Sequence, residues 1–557
     1  MQLTGAEVLI QLLERQGVRI IAGIPGGALL PVYEALARSV RIRHILARHE
    51  QAAGFIAQGI ARISGTAGVC LATSGPGVTN MVTALADAKL DSVPLVCIAG
   101  QVPTHLIGTD AFQEVATIDI VRPITKACFF VRSAEELAHI IPRAFAIAEG
   151  GRPGPVLIDV PKDVQLQRCV LDAPVTACTS DLGHSFDNRF LTRDYDTAAE
   201  LINESRRPIL YVGGGVVKSR AQQVLKDFVD RTNIPVTTTL MALGTLPANH
   251  ALNLGMLGMH AARFTNLAID ECDLLIACGA RFDDRATGDP TKFAPHAKVI
   301  HIDIDAREFG KIRSAAVRLN SDAGSALNSL LKRVKQVDRQ EWLQRITHLR
   351  RNHSLHMPDK DQVYSPYGIV LSVAELAPAD CIVTTDVGQH QMWVAQAFPF
   401  QRCDRWLTSG GLGTMGFGLP AAIGASLAAP QATTVCFTGD GSLLMNIQEL
   451  ATLAELGLNV KIIVMDNAAL GLVRQQQELF YGQRFIASQF VQPTNFARIA
   501  EGFGIAAIDL AHCPDPRASL AEALAVPGPA LIRVPINPEL HVLPMVAPGK
   551  GNLEAIG

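Results

Sequence analysis

A carboxylate and a carboxamide stand at the tips of two successive apolar runs. Asp440 lies in Gly439-Asp440-Gly441-Ser442, after the run 434–437, and Asn467 follows Asp466 at the end of the run 460–465. Between them, residues 443–456 carry apolar side chains at helical spacing, so the unit reads as strand, helix, strand. That arrangement puts two oxygen ligands on the carboxyl edge of a parallel sheet. They suit a hard ion such as Mg²⁺, which takes few protein ligands and completes its shell with the oxygens of a bound diphosphate. A GDG turn alone is a weak signal; the second strand and Asn467 strengthen it.

Other groups are placed to do chemistry. Glu50 follows the run 42–47 and opens a predicted helix containing Phe55, Ile56 and Ile60. A carboxylate is electrostatically comfortable at a helix N-terminus whatever else it does. Gly410-Gly411-Leu412-Gly413-Thr414-Met415-Gly416-Phe417-Gly418 sets one long side chain, Met415, among glycines that let backbone approach a ligand, ahead of a predicted helix 420–428. Gly388-Gln389-His390 follows the run 382–385, where backbone and side-chain donors could meet a phosphate. Gly213-Gly214-Gly215 after the run 209–212 has the generic phosphate-binding shape, but it is not GxGxxG and does not indicate an NAD site. Asp303 and Asp305 end the run 298–304, where an acidic residue would meet a ribose or flavin.

These residues need a scaffold. At roughly 100–200 residues per domain, 557 residues suggest about three domains. Apolar runs alternate with amphipathic helices in three blocks, which calls for α/β domains with doubly wound parallel sheets. We place them at 1–165, 191–345 and 367–540, separated by polar linkers at 166–190 and 346–366 and followed by a tail, 541–557. The runs of the first block are 19–22, 42–47, 68–72, 95–98 and 156–160; of the second, 208–212, 235–238, 274–278 and 298–304; of the third, 382–385, 434–437, 460–465 and 530–534. The first and third blocks share a strand, Gly-rich turn, helix, strand logic, which suggests a duplication with one cofactor held between them. Net charge is −3 and no strongly basic stretch occurs, which argues against nucleic acid. No apolar run approaches the ~18 residues that span a membrane, and no signal-peptide pattern opens the chain. Eleven scattered cysteines, several of them (Cys70, Cys97, Cys278, Cys436) inside apolar runs, fit small buried hydrophobes in a reducing cytoplasm.

The GDG–Asn spacing resembles the diphosphate motif of thiamine-diphosphate enzymes. The resemblance to acetohydroxyacid (acetolactate) synthase catalytic subunits runs over essentially the whole chain. It is carried by Gly23-Ile24-Pro25-Gly26-Gly27, Arg48-His49-Glu50-Gln51, Gly108 to Glu114, Gly151-Arg152-Pro153-Gly154-Pro155, Pro161-Lys162-Asp163, Leu240 to Gly244, Gly255 to His260, Gly279 to Arg285 and Thr384 to Trp393. It implies a pyrimidine-binding (Pyr) first block, a central FAD-binding block and a diphosphate-binding (PP) third block. It implies that Glu50 hydrogen-bonds N1′ of the cofactor's aminopyrimidine, and that Met415 props the cofactor into a bent shape. Gly388, Gln389, His390, Gly413, Gly439, Gly441 and Ser442 would hold thiamine diphosphate; Asp440, Asn467 and the carbonyl of Ala469 would hold Mg²⁺. Arg152, Gly213, Gly214, Gly215, Leu240, Met256, His260, Gly279, Arg281 and Asp303 would hold an FAD that takes no net part in the reaction. Gln113 and Lys162 join the catalytic set, and Phe112 lines the substrate site. Arg285 is our choice for the acceptor carboxylate, because a guanidinium binds carboxylate as a bidentate fork.

The implied reaction decarboxylates pyruvate and joins the two-carbon unit to a second 2-ketoacid. The products are 2-acetolactate from pyruvate and 2-aceto-2-hydroxybutyrate from 2-ketobutyrate, which open valine, leucine and isoleucine synthesis. Many relatives carry Trp where this chain has Gln476; its absence should weaken selection for 2-ketobutyrate, and resembles the enterobacterial type with Gln there. Ala261 and the tail 544–552 are smaller departures. A homodimer or homotetramer with a small regulatory subunit is the expected assembly. Two other readings share the fold: an FAD-dependent pyruvate oxidase, and a flavin-free catabolic acetolactate synthase. The presence of Glu50, Asp440 and Asn467 counts against a non-catalytic relative.

Overall fold

The computed structural model describes residues 2–170 and 188–557. Most of the expected linker 166–190 therefore lies outside the described residues. Three six-stranded parallel sheets stand in chain order, each flanked by helices. The apolar runs become strands because a strand covered on both faces must be apolar throughout. The runs 68–72, 208–212, 274–278 and 382–385 become Gly68–Ala72, Pro208–Val212, Leu274–Cys278 and Ile382–Thr385, all fully buried. Arg168–Val170 pairs antiparallel with Gln2–Thr4, outside the main sheets. Helix Gln340–Asn352 runs through position 345.

Strand order separates the blocks. Counting each block's strands from its own first, the first and third sheets both run 2-1-3-4-6-5, whereas the middle sheet runs 3-2-1-4-5-6. The shared order bears on the duplication inferred above. The middle order is that of dinucleotide-binding sheets, whose ligand lies where the strand order reverses.

The expected helix 443–456 is split. Asp440–Leu443 and Glu449–Leu456 are helical, and the chain turns between them. Buried Asn446 donates to the carbonyl of Gly416 at 2.6 Å, spending its side chain on a neighbouring loop. Side-chain-to-backbone bonding of this kind competes with the helix ladder.

The first and third blocks share a core. Helix Glu50–Ser64 crosses helix Gly418–Ala428 so closely that neither Gly59 nor Gly424 has room for a Cβ. Ala53 and Ile56 pack there with Leu419, Ala422 and Ile423. Among the described residues no helix is long and apolar enough to cross a membrane.

Candidate active site

In the third sheet the strand order reverses between Ile382–Thr385 and Thr434–Gly439, which are neighbours. Their carboxyl ends deliver Gly388-Gln389-His390 and Gly439-Asp440-Gly441. The next strand, Val460–Asp466, delivers Asn467. All line one cleft, with Met415, Ser442 and Ala469.

Asp440 is buried. Its Oδ1 accepts the N–H of Gly441 at 2.8 Å and its Oδ2 that of Ala469 at 3.1 Å. Burial, with Asp466 nearby, pushes its carboxyl up to about 7. The charge of Asp466 is taken by Arg533 at 2.9 Å, and among the described residues no cation is paired with Asp440. A divalent ion is the partner such a buried carboxylate fits. Asn467 donates to Gln389 Oε1 at 3.0 Å, which leaves its own carbonyl oxygen for a ligand. His390 is buried and held near 3 by that burial, hence neutral, and its Nε2 finds no partner among the described residues. A Cβ on Gly388 or Gly439 would come within 2.9 Å of that ring, so only glycine keeps the imidazole where it is. An unpartnered ring nitrogen, an uncompensated carboxylate and tight glycines are what a Mg²⁺-diphosphate would fill.

The first block supplies a second cluster. His49 caps the helix that opens with Glu50, accepting from Gln51 N–H at 3.1 Å. Asn80 donates to Glu50 Oε2 at 2.9 Å. A Cβ on Gly77 would lie 3.5 Å from Glu50 Oε1, and one on Gly75 would lie 2.9 Å from Cβ of Gln113. The turn Gly75-Pro76-Gly77 thus joins Glu50 to Gln113, whose backbone is left-handed at φ 63°. Phe112 beside it is 88 % exposed. Lys162 opens the short helix Lys162–Leu166, whose Asp163 accepts the Thr104 N–H at 3.0 Å. Neither Glu50 nor Gln113 lines the cleft around Asp440.

The middle block forms a larger cleft, about 1360 Å³ with its open mouth included, against the first block. It lies at that sheet's reversal, between Pro208–Val212 and Leu274–Cys278. Arg152, Gly214, Gly215, Gly279, Arg281 and Asp303 line it. Burial raises Asp303 to about 6, while Arg152 bridges to Glu308 at 2.8 Å. Gly213 does not line the cleft. A Cβ there would strike Gly279 and Ala280, so its glycine serves loop packing. Leu240, Met256 and His260 also lie off the cleft lining. Leu240 and Met256 pack on the third block's core, and His260, held near 4 by burial, sits 2.9 Å from the carbonyl of Pro544 in the tail. The cleft has the glycine wall, acidic strand end and arginines that a dinucleotide needs.

Arg285 is exposed, in the turn Asp284–Thr287. The tail pins that turn: Asn552 donates to the Ala286 carbonyl at 2.9 Å. Gln476 is half-buried on helix Gly471–Phe480. Its neighbour Gln475 is fully buried and bonds Gln389 at 2.9 Å and both polar groups of Val542, at 2.8 and 2.9 Å. The spacing of motifs passes over Gln475, and over Asp386. The latter is buried, accepts Gly416 N–H at 2.7 Å and Thr438 Oγ at 3.3 Å, and ties the Met415 loop to the GDG strand. A carboxylate directly after the short strand Ile382–Thr385 was the available signal.

The three blocks match three family models: the N-terminal TPP binding domain of thiamine pyrophosphate enzymes over residues 3–121, the central domain over 195–330, and the C-terminal TPP binding domain over 386–534. The chain is 53 % identical over 554 residues to the acetolactate synthase isozyme 1 large subunit of Escherichia coli K12, covering 100 % of this chain and 98 % of that one. It is 45 % identical over 555 residues to the isozyme 2 large subunit of the same organism, covering 100 % and 99 %. Against acetolactate synthase 1, chloroplastic, of Nicotiana tabacum it is 44 % identical over 562 residues, covering 98 % and 83 %. Fold and site define a thiamine pyrophosphate enzyme. Within that class, the chain belongs to the acetolactate synthase large-subunit family.

Proposed function

We propose that the chain is the catalytic subunit of a thiamine-diphosphate-dependent acetolactate synthase. It decarboxylates pyruvate and condenses the two-carbon unit with pyruvate or 2-ketobutyrate, in branched-chain amino acid synthesis. The observation that carries the reading is the uncompensated Asp440 beside Asn467 at the reversal of the third sheet.

The protein's tasks follow from its groups. Asp440, Asn467 and the Ala469 carbonyl hold Mg²⁺; Gly388, Gln389, His390, Gly413, Gly439, Gly441 and Ser442 hold the diphosphate. Thiamine diphosphate supplies the carbon nucleophile and stabilises the charge left by CO₂. Glu50 would hydrogen-bond the aminopyrimidine and hold a proton there, and Met415 would prop the cofactor into its bent shape. Arg285 forks onto the acceptor carboxylate, Phe112, Gln113 and Lys162 line the substrate's path, and Gln476 faces the acceptor's extra methyl. FAD would lie in the middle cleft on Arg152, Gly214, Gly215, Gly279, Arg281 and Asp303, and would transfer no electrons overall. Leu240, Met256 and His260 reach it only with a shift at the junction with the third block.

A second copy of the chain brings its first block to this chain's third block. Absence of Glu50 from the cleft around Asp440 supports that, as do exposed Phe112, Leu412 and Met445. The relatives' printed description as large subunits supports a small regulatory partner. The ten described cysteines are all unpaired, which supports a cytoplasmic setting.

The test is product identification. Purified protein with pyruvate, thiamine diphosphate, Mg²⁺ and FAD should yield acetolactate without oxygen uptake. Acetate formed with oxygen or quinone reduction would make it a pyruvate oxidase instead, and full activity without flavin would make it the catabolic type.

A further inference from the structure

The loop carrying Met415 is gripped from another domain. Helix Val82–Leu90 of the first block sets Asp87, and just past its end Asp91, against residues 409–414 of the third. Asp87 Oδ1 accepts the hydroxyl of Ser409 and that of Thr414, the latter at 3.0 Å. Asp91 accepts the N–H of Gly410 at 3.1 Å and of Gly411 at 2.7 Å. Ser409 Oγ accepts the Thr414 N–H at 2.9 Å, closing the loop on itself. Both carboxylates are buried. Arg62, from the helix that begins at Glu50, lies 2.8 Å from Asp91 and 3.8 Å from Asp87. Its guanidinium also lies 5.2 Å over the ring of Phe417, two residues past Met415. Burying two acids around one cation is costly, and such clusters are best understood as fixing one arrangement of the chain.

The other face of this cluster is the wall of the middle cleft. Arg62, Leu90 and Asp91 line it, together with Met241 and Lys218. Met241 also packs on the loop: a Cβ on Gly410 would lie 3.0 Å from Met241 Cγ. Whatever fills the cleft therefore leans on Arg62, Asp91 and Met241, and each of these holds residues 410–417 on its other side.

We propose that Asp87, Asp91 and Arg62 are positioning residues that couple occupancy of the flavin cleft to the Met415 loop, so that flavin prearranges the thiamine diphosphate site. The inference rests on the cofactor assignments above. It gives flavin a task in a reaction without net oxidation: ordering one loop for both ligands. Two ligands that order one element bind cooperatively, and the coupling is reciprocal.

The experiment measures flavin affinity of cofactor-stripped protein by flavin fluorescence, with and without saturating thiamine diphosphate and Mg²⁺. Thiamine diphosphate affinity is then measured by protein fluorescence, with and without saturating FAD. The parent protein should show tightening of about tenfold, equal in both directions. Asp87→Ala should bring both ratios to one while its affinity for flavin alone stays near the parent's, because Asp87 does not line the cleft. Ser409→Ala removes only a hydroxyl and should do the same, which decides the matter if Asp87→Ala fails to fold. Two cofactors that bind the parent independently, or a Ser409→Ala protein with its coupling intact, would overturn the coupling alone. Failure of the parent to bind either cofactor would overturn the assignments beneath it.

Discussion

Asp386 shows how one residue can hold a site without touching its ligand. Burial raises its carboxyl from 3.8 to about 6, against hydrogen bonds from Gly416, Val387 and Thr438 that pull it down. The folded protein thus binds this proton more tightly than the unfolded chain does. The group's contribution to stability is full below about pH 4 and is lost as pH rises through 6. Asparagine has no proton to lose. In cofactor-free protein, Asp386→Asn should gain roughly 3 kcal/mol on the parent between pH 4 and 7, read by urea unfolding; a flat difference would mean the carboxylate is not strained. At Glu50 the expectation is kinetic. Glu50→Gln should fold and keep flavin yet lose at least about 100-fold in turnover, as removal of a general acid-base group does; near-normal turnover would refute its role. At Gln476 the expectation is selectivity. An apolar wall against one extra methyl is worth about 1–3 kcal/mol, so Gln476→Trp should raise the 2-ketobutyrate preference roughly tenfold in equimolar competition with pyruvate. Glu50, Asp440 and Asn467 were legible because a polar group at the tip of an apolar run stands out in one dimension. Asp386 and Asp87 were not, since the groups they hold lie 30 and 322 residues along the chain.

At the scale of elements, central strands were readable and most edges were not: of the edge strands of the three six-stranded sheets, only Arg43–Leu46 falls in a run named above, 42–47. Asn253–Met256, Val317–Asn320 and Trp406–Leu407 carry no apolar run of four residues, while Ala127–Phe130 and Ala506–Asp509 are apolar but short and also fall outside the runs named above; all five are edge strands. An edge is covered on fewer sides, so its residues need not be apolar throughout. The glycines after Pro208–Val212 show a subtler limit. All three read alike, yet Gly213 is pressed on Ala280 Cα, at 2.5 Å for an added Cβ, whereas Gly214 would meet only Met241 Cβ at 3.4 Å. Their alanine variants should therefore part company. Gly213→Ala should destabilise the fold by about 1–3 kcal/mol, the usual cost of overpacking, in chemical denaturation. Gly214→Ala should leave the midpoint in place and weaken flavin binding, because it faces the cleft. Equal behaviour of the two would mean the loop is free to shift.

For the molecule as a whole, the repeated strand order has a consequence for assembly. Two sheets of the same order, one offering Glu50 and the other Asp440, could complete each other within a chain or between chains. Within the chain their contact is already taken. Helices Glu50–Ser64 and Gly418–Ala428 are packed backbone to backbone, and Arg48 N–H donates to Glu449 at 2.8 Å. Met445 and Leu412, 52 % and 41 % exposed, lie three residues along the chain from Ser442 and Met415, which line the cleft around Asp440, and exposed Phe112 adjoins Gln113 of the Glu50 cluster. A two-fold pairing would cover each patch with the other chain's first block and complete two sites at once. Subunit mixing can separate the possibilities. Glu50→Gln and Asp440→Asn chains should each be nearly inactive alone. If sites form between chains, random mixing makes half the dimers mixed, and each of these holds one intact site, built from the Asp440→Asn chain's Glu50 and the Glu50→Gln chain's Asp440. Activity should then return to about a quarter of the parent's after the chains are dissociated and reassociated together. If each chain completes its own site, every site carries one lesion, and no activity returns however long the two are mixed.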